Sequence, residues 1–176
     1  MFTANAVRIF IASPVDVQRE RVVVREAMRH WNAVHAPNRK VILLPVGWET
    51  HAAPDSRNPA QDLIDKKLID HCDVLIGLFH ARIGTRAKDA VPATVHEIER
   101  FRQAGKRASI YFCTRNVPRA LADGARLVDR LQKKLHSMND AGLTDTYGTP
   151  ESLKSKLDLL FNEVADEYTP SKDATS

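Results

Sequence analysis

The sequence has little of what defines several large classes of protein. Among its 176 residues are two cysteines, Cys72 and Cys113, which form no CxxC pair and no metal-ligand pattern. A disulfide-stapled scaffold and a cysteine-based metal site are therefore excluded. No apolar run approaches the roughly 20 residues that a membrane-spanning helix needs. Residues 1–10 lack the basic start and apolar stretch of a secretory signal, so we expect a cytoplasmic protein that does not enter a membrane.

Motifs of the common nucleotide-binding and hydrolytic folds are also missing. No GxGxxG follows a strand pattern, and neither GxxxxGK[ST] nor GxSxG occurs. The histidines do not stand at metal-ligand spacing with a third ligand, so we expect no metal. The 26 basic and 22 acidic residues give a net charge of +4, spread along the whole chain. Nucleic-acid-binding proteins usually concentrate basic charge on one face, so we expect no nucleic-acid partner. A small anionic ligand such as phosphate is as compatible with this dispersed charge as a polynucleotide is.

What is present is an alternation of short apolar runs with longer stretches of helical spacing. This alternation predicts a parallel α/β sheet with right-handed crossovers. The runs that predict strands are 7–12, 41–46, 74–79 and 108–113, with a weaker signal for a fifth at 143–147. The stripes that predict helices run from Val24 to Val34, Ala60 to Leu68, Val95 to Phe101, Leu121 to Met138 and Leu153 to Val164.

Several residues mark where these elements begin and end. Ser13-Pro14, Asn58-Pro59 and Thr149-Pro150 each predict a capping side chain followed by proline at the first helical position. Gly105 stands where a helix needs a left-handed residue to end, and Pro45 favours an edge position for its strand. We expect one domain over residues 1–168 and a flexible polar tail at 169–176.

Candidate ligand-binding residues follow from a rule for open parallel sheets, in which ligands bind outside the carboxyl ends of the strands. Ser13 and Asp16 have a competing interpretation as a helix cap and a first-turn acid. Trp48 is open to two interpretations, stacking on a base or burial beneath a neighbouring helix. The rule selects Ser13, Asp16, Trp48, Glu49, His80, Arg82, Gly84, Thr85, Thr114 and Arg115.

Glu97 is the strongest candidate for a catalytic group. It stands in the segment 92–99, PATVHEIE, which predicts the start of the helix that follows the third strand. A carboxylate at that edge of the sheet would stabilise the positive charge that develops on a ribosyl centre as a leaving group departs. The competing interpretation is a capping box, in which Thr94 caps the helix and Glu97 reaches back to its N–H.

Four stretches together resemble a TIR-like family that is catalogued only as a domain of unknown function. Residues 8–21, RIFIASPVDVQRER, resemble its F-I-S-S-T-x-x-D-L-x-x-E-R start. Residues 72–79, CDVLIGLF, with the Gly84 that follows, resemble its C-D-x-x-I-G strand. Residues 97–106, EIERFRQAGK, resemble its E-x-E-x-A-x-x-x-G-K helix, and 147–153, YGTPESL, resemble its last helix start. The resemblance spans roughly residues 7–165.

This resemblance implies a fold and an activity. TIR domains and nucleoside 2-deoxyribosyltransferases share a flavodoxin-like three-layer sandwich, with a four- to five-stranded parallel sheet and helices on both faces. Both use a glutamate in the helix after the third strand, and the matching residue is Glu97. The resemblance also implies that Ser13, Phe79, Arg82 and Gly84 line the pocket.

The function implied is cleavage of the nicotinamide–ribose bond of NAD in bacterial immunity or signalling. NAD would be a substrate, and no cofactor is implied. We expect self-association or a partner sensor or effector protein. Two alternatives stay open at this point: a non-catalytic interaction module, and an enzyme that transfers deoxyribosyl groups between bases.

Overall fold

The computed structural model describes residues 2–47, 70–84, 93–137 and 144–170. The strands are β1 (Asn5–Ala12), β2 (Val41–Val46), β3 (Val74–Phe79), β4 (Arg107–Cys113) and β5 (Thr144–Tyr147). The described helices are α1 (Gln18–Arg39), α2 (Ala93–Gln103), α3 (Ala122–Ser137) and α4 (Pro150–Tyr168). Short 3-10 turns at Val15–Val17 and Arg119–Leu121 precede α1 and α3.

The five strands form one parallel sheet in the order β2-β1-β3-β4-β5. The four strands predicted from apolar runs are confirmed, and so is the fifth strand at the end of the sheet. The order 2-1-3-4-5 is that of flavodoxin-like folds, in which the chain reverses its direction of growth between β1 and β3. The predicted flavodoxin-like α/β fold is therefore confirmed.

Helices cover both faces of the sheet. On one face α1 and α4 pack over a core that includes Trp31 and Phe161, 2% and 0% exposed. The Trp31 Nε1–H donates to the Asn162 side-chain oxygen at 3.1 Å and ties the two helices together. On the other face α2 and α3 cover a second core that includes Phe79 and Phe101. With helices on both sides, every residue of β3 is buried, as its unbroken apolar run predicts.

The boundary predictions have mixed outcomes. Thr149 caps α4 as predicted, accepting from the Ser152 N–H in a capping box, and Gly105 adopts φ +67° at the end of α2. Pro45 lies in the edge strand β2, as expected. The prediction that Ser13 caps a helix is wrong, because α1 begins at Gln18 after a 3-10 turn whose capping position is Pro14.

Some predictions fall outside the described residues: the Asn58-Pro59 cap, the helix at 60–68, Met138 and the last six residues of the tail. Among the helices that the structure describes, none has the length and apolar character needed to cross a membrane.

Candidate functional site

The carboxyl ends of β1 and β3 lie side by side at the point where strand order reverses. The two strands pair in register, with Ala12 opposite Gly77. Just beyond them, the Asp16 carboxylate accepts the Ala81 N–H through Oδ2 at 2.8 Å. This bond ties the turn after β1 to the loop after β3. We call the region where these two connections meet the switch-point site.

Two polar atoms at the switch-point site are buried without a partner. Ser13 Oγ and Asp16 Oδ1 make no hydrogen bond with any group in the described part of the chain. A buried polar atom left unsatisfied costs about 1–3 kcal/mol, so such atoms are rare in native proteins and call for a specific reason. Ser13 and Asp16 are three positions apart in the chain, and they lie where proteins of this fold class bind ligands. They are therefore suited to hydrogen bonds with a bound molecule.

The loop after β3 is shaped by two glycines. Gly84 adopts φ +101°, a backbone conformation that favours glycine. Gly124, in the first turn of α3, lies so close to the loop that a Cβ built on it would stand 2.2 Å from the Ala81 carbonyl oxygen. Ala81 is thus held on both sides, by Asp16 through its N–H and by Gly124 against its carbonyl. Arg82, the next residue, is exposed beside the switch-point site.

Phe79 has a different place from the one that the resemblance implies. Its side chain is fully buried and stacks on Phe112, with ring centroids 5.5 Å apart. It supports the loop from within the core and presents no surface to a ligand in this structure. Trp48 and Thr85, the two other residues of the predicted site, lie outside the described residues, as does Glu49.

Glu97 lies on α2, four residues after Ala93, and is half-buried. Since α2 follows the loop that leaves β3, its beginning faces the carboxyl edge of the sheet. Two expectations need correction. Thr94 is inside the helix and 6% exposed, so it is not the capping residue and the predicted capping box is wrong. The first turn of α2 contains no acidic residue, so Glu97 gains less from the helix dipole than a first-turn carboxylate does.

Comparison with known proteins identifies the family of this chain. The family model described as "Domain of unknown function (DUF4062)" matches residues 8–159, which include both sides of the switch-point site and Glu97. The chain belongs to the DUF4062 family. No curated protein matches this DUF4062 domain. Among solved structures, oxidised flavodoxin 1 from Bacillus cereus is similar at 14% identity, over 95% of this chain and 100% of that chain, with a TM-score of 0.40.

A second group of polar side chains in the DUF4062 domain, which we call the β4–β5 cluster, consists of Glu20, Cys113, Arg115 and Tyr147. The sequence analysis selected Arg115 but missed the other three. Glu20, 3% exposed on α1, forms an ion pair with Arg115, which follows β4. The Arg115 Nε–H donates to Cys113 Sγ at 3.1 Å. The backbone oxygen of Arg115 lies 3.2 Å from His80 Nε2. The sequence carries no clear signal for this group, because an acidic residue such as Glu20 is usual in the first turn of a helix.

Burial and charge shift the pKa values of this cluster. The pKa of Tyr147 is raised above the usual range of tyrosine, chiefly by burial and further by Cys113 and Glu20. The pKa of Arg115 is also raised, above all by its hydrogen bond to Cys113. Arg115 is therefore a permanent cation and Tyr147 a hydroxyl donor throughout the physiological range.

Arg107 on β4 and Arg115 just after β4 both form ion pairs, and removing the two arginines should lower the free energy of unfolding by different amounts. Arg115→Met is expected to lower the free energy of unfolding by about 2 kcal/mol, because it leaves a carboxylate that is 5% exposed without its cation. The loss stays below that of a fully buried pair because the Arg115 side chain is 40% exposed. Arg107→Met is the matched control. Its partners Glu163 and Glu167 are 63% and 45% exposed, so we expect a loss below about 1 kcal/mol. Urea denaturation measures both, and equal losses would contradict this ranking.

Proposed function

We propose that this DUF4062 domain binds a ribosyl nucleotide at the switch-point site and cleaves the bond between nicotinamide and ribose in NAD, in bacterial immunity or signalling. The observation that carries the proposal is the pair of buried, unpartnered atoms, Ser13 Oγ and Asp16 Oδ1, at the reversal of strand order. The resemblance to TIR domains and deoxyribosyltransferases supports the choice of a ribosyl substrate.

The polarity of the switch-point site fits the two parts of such a ligand. Asp16 Oδ1 is a negatively charged acceptor, so it accepts from a neutral donor such as a ribose hydroxyl and repels a phosphate. The phosphates are then placed toward Arg82 and the backbone at Gly84, where a guanidinium and a glycine turn are available. Ser13 Oγ is able to donate or accept and serves either part.

Glu97 is the proposed catalytic residue. The N-glycosidic bond breaks with its electron pair going to nicotinamide, and the ribose gains oxocarbenium character. The Glu97 carboxylate stabilises that positive charge or holds the ribose hydroxyls beside it. A water oxygen then bonds to the anomeric carbon and loses a proton to solvent, which gives ADP-ribose and free nicotinamide. No metal or prosthetic group takes part in these steps.

Self-association or a partner sensor or effector protein belongs to the same proposal. TIR-like domains act in assemblies, and the resemblance extends this expectation to the present chain. High protein concentration is therefore the right condition for a first assay, since it favours any assembled form.

The proposal is tested by two measurements on wild type and Asp16→Asn. Asparagine is able to keep accepting the Ala81 N–H through its oxygen, while its NH₂ group replaces the free acceptor with a donor. We expect wild type to release nicotinamide from NAD, detected by chromatography. We also expect Asp16→Asn to bind ADP-ribose about tenfold more weakly by calorimetry, the cost of one lost hydrogen bond to a charged group. Absence of nicotinamide release and of ADP-ribose binding in wild type would refute the proposal.

A further inference from the structure

The β4–β5 cluster contains a cysteine in an environment unlike that of a core thiol. Cys113 is the last residue of β4 and is half-buried, with a guanidinium N–H directed at its sulfur from Arg115. Reactive cysteines occupy partly exposed positions beside positive charge. Glu20 offsets part of that charge, but it binds Arg115 through Nη2, whereas the sulfur is bound by Nε.

A second, independent observation lies across the sheet. Tyr147 is the register partner of Cys113 on the parallel strand β5, so both side chains project from the same face. Tyr147 is 3% exposed, yet its hydroxyl makes no hydrogen bond in the described part of the chain. Cys113 is among the groups that raise the pKa of Tyr147, so the hydroxyl and the sulfur are neighbours. An oxygen added to that sulfur would supply the acceptor that the buried phenol lacks.

We propose that Cys113 is a modification site, a thiol that hydroperoxides convert to a sulfenic acid whose added oxygen accepts from the Tyr147 hydroxyl. The Cys113 sulfur attacks one peroxide oxygen, so the S–O bond forms as the O–O bond breaks. The sulfur is oxidised by two electrons, and the peroxide is reduced. The thiol proton leaves with the second peroxide oxygen, as water when the oxidant is hydrogen peroxide. Arg115 holds the sulfur during attack, and Tyr147 holds the product.

The other cysteine of the chain provides an internal comparison. Cys72 is 1% exposed, and burial raises its pKa to about 11, with the neighbouring Asp73 adding to the shift. At neutral pH it is a thiol shielded from solvent, and we expect it to be inert. A difference in reactivity between the two positions is therefore a property of the fold, because the same chain carries both.

The test treats the folded chain of 176 residues with one equivalent of hydrogen peroxide in the presence of dimedone, which traps sulfenic acids. Peptide mass spectrometry then measures the adduct at each cysteine. We expect Cys113 to be labelled at least about tenfold more than Cys72, and the two to be labelled equally once the chain is unfolded in guanidinium chloride. Equal labelling in the folded chain, or no adduct at Cys113, would overturn the proposal.

Two variants separate the roles of the neighbours. Tyr147→Phe keeps the buried ring and removes the hydroxyl, so we expect Cys113 to pass more readily to the sulfinic acid when dimedone is left out. The double variant Glu20→Gln/Arg115→Met removes the guanidinium without leaving a buried carboxylate unpaired, and we expect labelling of Cys113 to slow about threefold or more. A labelling rate unchanged in the folded double variant, or an oxidation course unchanged in Tyr147→Phe, would count against the proposed contacts. None of these readouts depends on nucleotide turnover.

Discussion

Replacing Glu97 with glutamine is expected to reduce nicotinamide release from NAD by about a hundredfold to a thousandfold, the range seen when one group that stabilises transition-state charge is removed. Glutamine keeps the length and shape of the side chain on α2 but cannot carry the negative charge that opposes the developing oxocarbenium ion. Binding of ADP-ribose is expected to change much less, because Ser13, Asp16 and Arg82 are intact. The loss should therefore appear in kcat rather than in KM.

Glu99→Gln is the matched control for this variant. It makes the same change of charge on the same helix, two residues further on, where Glu99 forms a surface ion pair with Lys134 at 3.3 Å. We expect its rate to stay within about twofold of wild type, since exposed pairs contribute little to stability. Thermal melting of both variants establishes that each is folded. Nicotinamide release by folded Glu97→Gln at the wild-type rate would show that Glu97 is not the catalytic residue.

The architecture was predictable because hydrophobic patterning is a local property of the chain. An unbroken apolar run such as 74–79 is stable only as a strand covered on both faces, and the structure buries all six of its residues. Thr149-Pro150 was equally informative, since a cap and a first-turn proline act through neighbouring backbone groups. Ser13-Pro14 has the same local pattern, yet a 3-10 turn follows it and leaves the hydroxyl unpartnered.

The polar interactions of the sites were not predictable because they join residues that are far apart in the sequence. Glu20 in the first turn of a helix reads as a solvated acid, and its burial depends on Arg115, 95 residues away. The bond between Asp16 and Ala81 spans 65 residues. Likewise, the sequence indicates only that Tyr147 ends a strand. The register of β5 on β4 is what places it opposite Cys113. The sequence pattern predicted that the candidate residues follow the carboxyl ends of the strands. The structure adds which of their polar atoms are hydrogen-bonded and which are not.

In Gly124→Ala, helix propensity and packing change the free energy of unfolding in opposite directions, and the larger of the two effects decides whether the variant is more or less stable. Gly124 lies within α3, where alanine is favoured over glycine by about 1 kcal/mol. The added methyl group would, however, stand 2.2 Å from the Ala81 carbonyl oxygen, and backbone cannot turn aside as a side chain can. Either α3 or the loop after β3 must move, and overpacking of this kind costs about 3 kcal/mol. We therefore expect a net loss of about 2 kcal/mol in the free energy of unfolding.

Moving α3 or the loop after β3 should also weaken ligand binding, which a loss of stability alone would not do. Ala81 donates its N–H to Asp16, so moving Ala81 disturbs the switch-point site as well. In Gly124→Ala we expect ADP-ribose to bind about tenfold more weakly even at temperatures where the protein is fully folded, the size of one lost charged hydrogen bond. Ala125→Gly in the same helix is the control: it should lose about 1 kcal/mol of stability and bind ADP-ribose as wild type does. If Gly124→Ala were instead more stable than wild type, propensity would outweigh the contact, and the loop after β3 would be free to move away from α3.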